Sequence, residues 1–215
     1  MSNAIHGENS SGRSLAGTAV FDPQRIVVRK KLGLGHINLR GDSTDASFTR
    51  GVRTVLRFDL PSIPNTVSEG GDVVAYWLAP TEWLLVLPAE HERAVAVGLR
   101  DALAGQFVSV VELSGGQVVL LVTGSRVRDV LAKGCPLDLH EGAFALGQCA
   151  QSHLAKAPVL LRPVASGIEL ILPRSFADYL WQWLEGAVQE YGGWVVQPTS
   201  PDTVFLQRAG VDGRE

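Results

Sequence analysis

The chain has 215 residues, 46% apolar and 19% charged, a globular composition that excludes a disordered chain. Its formal charge of −3 gives no bulk attraction to nucleic acid or anionic lipid. Two cysteines without a secretory signal point to a reducing compartment, and the longest strongly apolar run, Val118 to Val122, is far below the ~20 residues of a membrane span. The expectation is a cytoplasmic protein that binds neither nucleic acid nor membrane.

Residues 1–24 lack periodicity and read as a flexible or partner-wrapping tail. Ile26 to Lys30 and Ile37 to Arg40 read as strands separated by Gly33 and Gly35. Asp42 or Ser43 is expected to cap a helix with Phe48, Val52, Val55 and Leu56 on its apolar face. Val73 to Leu78 and Trp83 to Leu87 follow as strands. A helix from Glu90 is expected to bury Val95, Leu99, Ala102 and Leu103 and to close at Gly105. Phe107 to Leu113 and Gln117 to Thr123 read as strands around a hairpin turn at Ser114-Gly115-Gly116. The last helix is the clearest: Ser175 and Asp178 suggest a capping box, and Phe176, Tyr179, Leu180, Trp183, Leu184, Ala187, Val188 and Tyr191 trace one stripe.

The punctuation repeats. The segment Ile37 to Asp42 (strand, glycine, cap) has a counterpart 83 residues later in Leu120 to Ser125, and Trp83 to Pro88 has one 85 residues later in Ile168 to Pro173. The predicted fold class is α+β: two similar split βαββαβ (ferredoxin-like) halves with antiparallel sheets, over 25–113 and 114–195, followed by a C-terminal tail over 196–215.

Chemistry-bearing patterns are sparse. The five histidines form no HxH or HExxH pair, Cys135 and Cys149 have no CxxC spacing, and no Gly-x-Ser-x-Gly elbow is present, so no catalytic, cofactor-binding or metal-binding residues are assigned. Gly33-Leu34-Gly35-His36-Ile37-Asn38 begins like a dinucleotide fingerprint, but Asn38 replaces the third glycine and a strand follows. Thr123-Gly124-Ser125 precedes a helix without a lysine at Walker spacing, which is ordinary capping. Arg29-Lys30-Lys31 reads as a solvated strand edge. The most polar loop is Leu137 to Gly142, with Asp138, His140 and Glu141. Trp181 falls off the helical stripe beside Asp178, Gln182 and Glu185, so it is expected at an exposed position. Trp181, Asp178, Gln182, His140 and Glu141 are the candidate partner-interface residues; for Trp181 the alternative is a place beneath the C-terminal tail.

Val130 to His140, Phe144, Gly147-Gln148-Cys149-Ala150-Gln151 and Arg174 to Leu184 together resemble the gamma subunit of heterotetrameric sarcosine oxidase. Leu34 to Gly41 and Ala79 to Leu84 fit too, and the likeness spans residues 30–190. Glu141 departs from it, standing where a proline is expected after the histidine. The resemblance implies a fold similar to the folate-binding domain of the glycine-cleavage aminomethyltransferase. It further implies a non-catalytic assembly subunit, with alpha, beta and delta partners, of a complex that oxidatively demethylates sarcosine to glycine and hydrogen peroxide with tetrahydrofolate as one-carbon acceptor. FAD, FMN, NAD and zinc would then sit on other subunits, with none in this chain. The alternative is a free-standing folate-binding, aminomethyltransferase-like protein.

Overall fold

A computed structural model describes residues 26–191 and the backbone of 194–196. In chain order its elements are β1 (Val27–Lys31), β2 (Leu34–Arg40), α1 (Ala46–Leu56), β3 (Val67–Gly70), β4 (Val73–Ala79), β5 (Glu82–Pro88), α2 (Ala89–Ala102) and β6 (Ser109–Glu112). They continue with β7 (Gln117–Thr123), α3 (Val127–Ala132), β8 (Ala150–Leu154), β9 (Ala157–Val164), β10 (Gly167–Pro173), α4 (Ala177–Val188) and β11 (Trp194–Val196).

Two sheets form, ordered β3-β4-β5-β2-β6 and β8-β9-β10-β7-β1-β11. Every pairing is antiparallel except β1 with β11. The first four positions of each sheet correspond one to one, so the predicted duplication is present in three dimensions. Each half carries one strand more than the split βαββαβ pattern, because Val67–Gly70 and Ala150–Leu154 pair outside β4 and β9. Strand β1 opens the first half (25–113) in the chain but pairs in the second sheet, covering β7 where β6 covers β2. The chain therefore changes sheets twice, after β1 and after β6. The Ser114-Gly115-Gly116 turn is the second of these crossings and not the expected hairpin.

The alternation of side chains along the strands explains the layering. Ile37, Leu39, Trp83, Leu85 and Leu87 point from the first sheet onto Phe48, Val52 and Leu56 of α1 and Ala96 and Leu99 of α2. Val118, Leu120, Val122, Leu161, Ile168 and Leu170 do the same beneath Val130, Leu131, Leu180 and Leu184. The opposite faces meet each other: Tyr76, Leu84 and Val86 of the first sheet pack with Val119, Leu160 and Ile171 of the second. The order of layers is helix, sheet, sheet, helix. At about 1.5–3 kcal/mol per buried large aliphatic side chain, this inter-sheet layer is a substantial part of what joins the halves.

Local chemistry sets the helix ends, differently from the sequence reading in two places. Asp45 caps α1 by accepting from the Ser47 N–H at 2.7 Å, while Asp42 is occupied by Thr44 in a tight turn. The capping box at Ser175 does not form, because a 3₁₀ turn over Arg174–Phe176 leads into α4 without a side-chain cap. The buried face of α2 includes Glu92, Ala96 and Leu99, with Ala102 exposed.

Candidate functional site: a buried ionic cluster between the sheets

Glu169 stands on β10 between Ile168 and Leu170, which puts its side chain on the opposite face to theirs, between the sheets, where it is buried. Its Oε1 takes the Lys31 ammonium at 2.5 Å, and its Oε2 accepts from the Tyr76 hydroxyl at 3.3 Å. Arg162, on the neighbouring strand β9, places one guanidinium nitrogen 3.7 Å from Glu169 Oε2 and the other 2.6 Å from Glu69 on β3. The guanidinium carbon lies 5.7 Å from the Tyr76 ring centroid. Lys31, Arg162 and Glu169 come from the second sheet, and Tyr76 and Glu69 from the first. The cluster therefore bridges the two halves.

Its formal charges balance, two cations against two carboxylates, which is how buried charge is tolerated. Burial, followed by the charge of Glu169, raises the Tyr76 phenol pKa well above its ordinary value, so the hydroxyl stays protonated and donates. Nearby, burial pushes the Cys149 thiol up to about 11, and its Sγ donates to the Thr66 carbonyl at 3.3 Å. A protonated, enclosed thiol is a poor nucleophile. Arranged this way, the cluster joins the sheets and offers no evident base or nucleophile to an outside reactant. Among the described residues, no group of three or more His, Cys, Asp or Glu side chains is placed to hold a metal ion.

His36 is the other buried titratable side chain of note. Its backbone N–H donates to Glu92 Oε1 at 3.2 Å, and neither ring nitrogen has a partner among the described residues. Gly35 beside it is required by close approach, since a Cβ there would lie 2.8 Å from the Cβ of Glu92. The Gly33–Asn38 segment thus turns at Gly33 (φ +69°) and enters β2, with no helix start to hold a pyrophosphate.

The sequence-predicted interface residues lie on two elements, the loop before β8 and α4. His140 and Glu141 lie exposed on the loop before β8. Asp138 accepts from the His140 N–H at 2.9 Å, and Arg128 reaches Glu141 at 3.7 Å while donating to the Leu139 and Phe144 carbonyls. Asp178 and Gln182 are exposed on α4. Trp181 is not exposed as expected: it is half-buried against the second core, its indole N–H donating to Glu185 at 3.0 Å. The C-terminal tail named as its alternative cover lies outside the described residues.

Sequence reasoning missed the cluster, whose members span 139 positions from Lys31 to Glu169 with no motif spacing. A usable signal existed in the lone carboxylate of Ile168-Glu169-Leu170 and the lone cation of Leu161-Arg162-Pro163. A smaller feature lies on the outer face of the first half, a cavity of about 200 Å³ floored by Phe48 and Trp83 and edged by Ser43, Asp59 and Ser62.

The family model described as "Sarcosine oxidase, gamma subunit family" matches residues 40–190, more than half of the chain. The chain belongs to this family. The sarcosine oxidase subunit gamma of Corynebacterium sp. (strain P-1) is 37% identical over 179 residues, covering 83% of this chain and 84% of that protein. Its counterpart from Corynebacterium sp. (strain U-96) is 37% identical over 134 residues, 60% of this chain and just 64% of that protein. A chain of the heterotetrameric sarcosine oxidase from Corynebacterium sp. U-96, solved in complex with pyrrole 2-carboxylate, gives a TM-score of 0.74 at 26% identity, over 82% of this chain and 90% of that one. The glycine cleavage system aminomethyltransferase T from Bartonella henselae gives 0.60 at 18% identity, over 80% of this chain and 47% of that one, a likeness of fold. The fold predicted from the resemblance and the family itself both stand.

Proposed function

We propose that this chain is a non-catalytic assembly subunit of a heterotetrameric sarcosine oxidase, held by alpha, beta and delta partners in the cytoplasm. In this reading the complex oxidatively demethylates sarcosine to glycine and hydrogen peroxide and passes the one-carbon unit to tetrahydrofolate. FAD, FMN, NAD and zinc reside on the other subunits. The family match over residues 40–190 carries the reading. The ionic cluster supports its non-catalytic part, because the buried charges are spent on one another between the sheets.

The test is co-expression of alpha, beta and delta chains with and without this one. Omitting it should abolish recovery of an intact, active complex. A fully active flavoprotein complex lacking this chain would overturn the proposal. The fold likeness to aminomethyltransferase T favours one second reading, a free-standing folate binder. Titration of the isolated chain with a reduced folate separates the two: saturable micromolar binding would favour the second, and its absence the first.

A further inference from the structure

Among the described residues most large apolar side chains are buried, and two exceptions sit on the pair of loops where the halves meet at the surface. Ile63 is 68% exposed and Leu146 is 65% exposed. Their loops are zipped backbone to backbone: Val67 N–H donates to the Gly147 carbonyl at 3.0 Å, Cys149 N–H to Asn65 at 2.8 Å, and Thr66 bridges Gln148. Each loop is also closed on itself. The Thr66 hydroxyl donates to the Ile63 carbonyl at 2.7 Å, and the Ala145 N–H donates to the Gln148 side chain at 2.7 Å. These apolar tips are therefore presented on braced loops, and little conformational freedom remains to be lost on binding.

The exposed charges on the loop that leads to Leu146 are acidic. Asp138 and Glu141, on the loop that leads to Leu146, are exposed, with the Glu141 side chain 84% accessible. The local cation, Arg128, is turned inward onto the Leu139 and Phe144 carbonyls. On the Ile63 side, Arg57 is exposed ahead of the loop, and Glu69 on the next strand is paired with Arg162 at 2.6 Å.

We infer that the seam formed by residues 63–66 and 145–148 is an interaction surface, and that it docks into an apolar socket rimmed by lysine or arginine on another subunit of the same complex. The inference rests on the assembly reading above. Apolar anchors would supply the affinity, and the carboxylates would steer and orient the encounter. A partner gripping both loops holds both halves at once.

The experiment co-expresses the full chain with the alpha, beta and delta chains and measures co-purification and dissociation of the assembled complex. Ile63→Ser combined with Leu146→Ser should weaken retention at least tenfold. The Phe107→Ser control, fully exposed elsewhere, should match the parent chain. Glu141→Lys should weaken retention at low salt, with the difference shrinking as salt rises. A seam variant retained like the parent chain would overturn the inference while leaving the assembly reading intact. Failure of the parent chain to assemble would overturn both. Seam-dependent self-association of the isolated chain, without any effect on the other subunits, would identify a second copy as the occupant and overturn the partner assigned here.

Discussion

Neither ring nitrogen of His36 has a partner among the described residues, and the burial that isolates them disfavours the imidazolium form. Desolvation lowers its pKa below the ordinary value, and the Glu92 carboxylate offsets only part of that. The unfolded chain binds a proton here as pH falls below about 6.5, while the folded chain does not until lower pH. The unfolded state then holds more protons, so this group's effect is that stability falls as pH is lowered through that window, by at most about 1.4 kcal/mol per pH unit for one proton. His91, His140 and His153 are exposed. His36→Leu is therefore expected to flatten the urea-measured pH dependence between about pH 6.5 and 5 relative to the parent chain. Equal slopes in the two proteins would show that His36 is not the group responsible.

Strands that are continuous apolar runs were legible, as in Val73 to Leu78 and Trp83 to Leu87, and so were the helix stripes over Phe48–Leu56 and Leu180–Val188. The missed strands each break the rule that made the others visible. Val67–Gly70 and Ala150–Leu154 are edge strands or nearly so, rich in polar and small residues, and β9 contains Pro158 and Pro163, which argue against an interior strand. Partner choice was also hidden. A strand-turn-strand string looks alike whether its second strand folds back or crosses to another sheet, and both Gly33 and Ser114–Gly116 join strands of different sheets. The placement of β1 has a consequence at this scale. Ile26 and Val28 are fully buried in the second core, though they open the first half in sequence. Removing residues 1–31 should strip amide hydrogen-exchange protection from Gln117–Thr123, where β7 loses a neighbour, while Glu82–Pro88 in the first sheet keeps its own. Burial of the two side chains alone is worth several kcal/mol, a large part of a typical domain's 5–15. Undiminished protection across β7 would mean that β1 contributes little to that sheet.

At the scale of the molecule, the ties between the halves include the apolar inter-sheet layer, the Lys31–Glu169–Tyr76–Arg162–Glu69 cluster and the zipped loops near Thr66 and Gln148. Such coupling favours a single cooperative transition over separate melting of each half. The two free cysteines are placed to read this. Cys149 is buried in the inter-sheet layer and Cys135 in the core of the second half. In pulsed thiol labelling across a urea series, the two should become reactive with coincident midpoints. Arg162→Met removes one partner from a buried ion cluster and leaves Glu169 with Lys31 as its remaining cation, a destabilising change smaller than the ~3–5 kcal/mol of a buried charge left wholly unpaired. Because Arg162 also reaches Tyr76 and Glu69 across the sheets, Cys149 in that variant should label at lower urea than Cys135. Coincident labelling in the variant, shifted together to lower urea, would instead place the cluster's contribution inside one cooperative unit and not at the join between two.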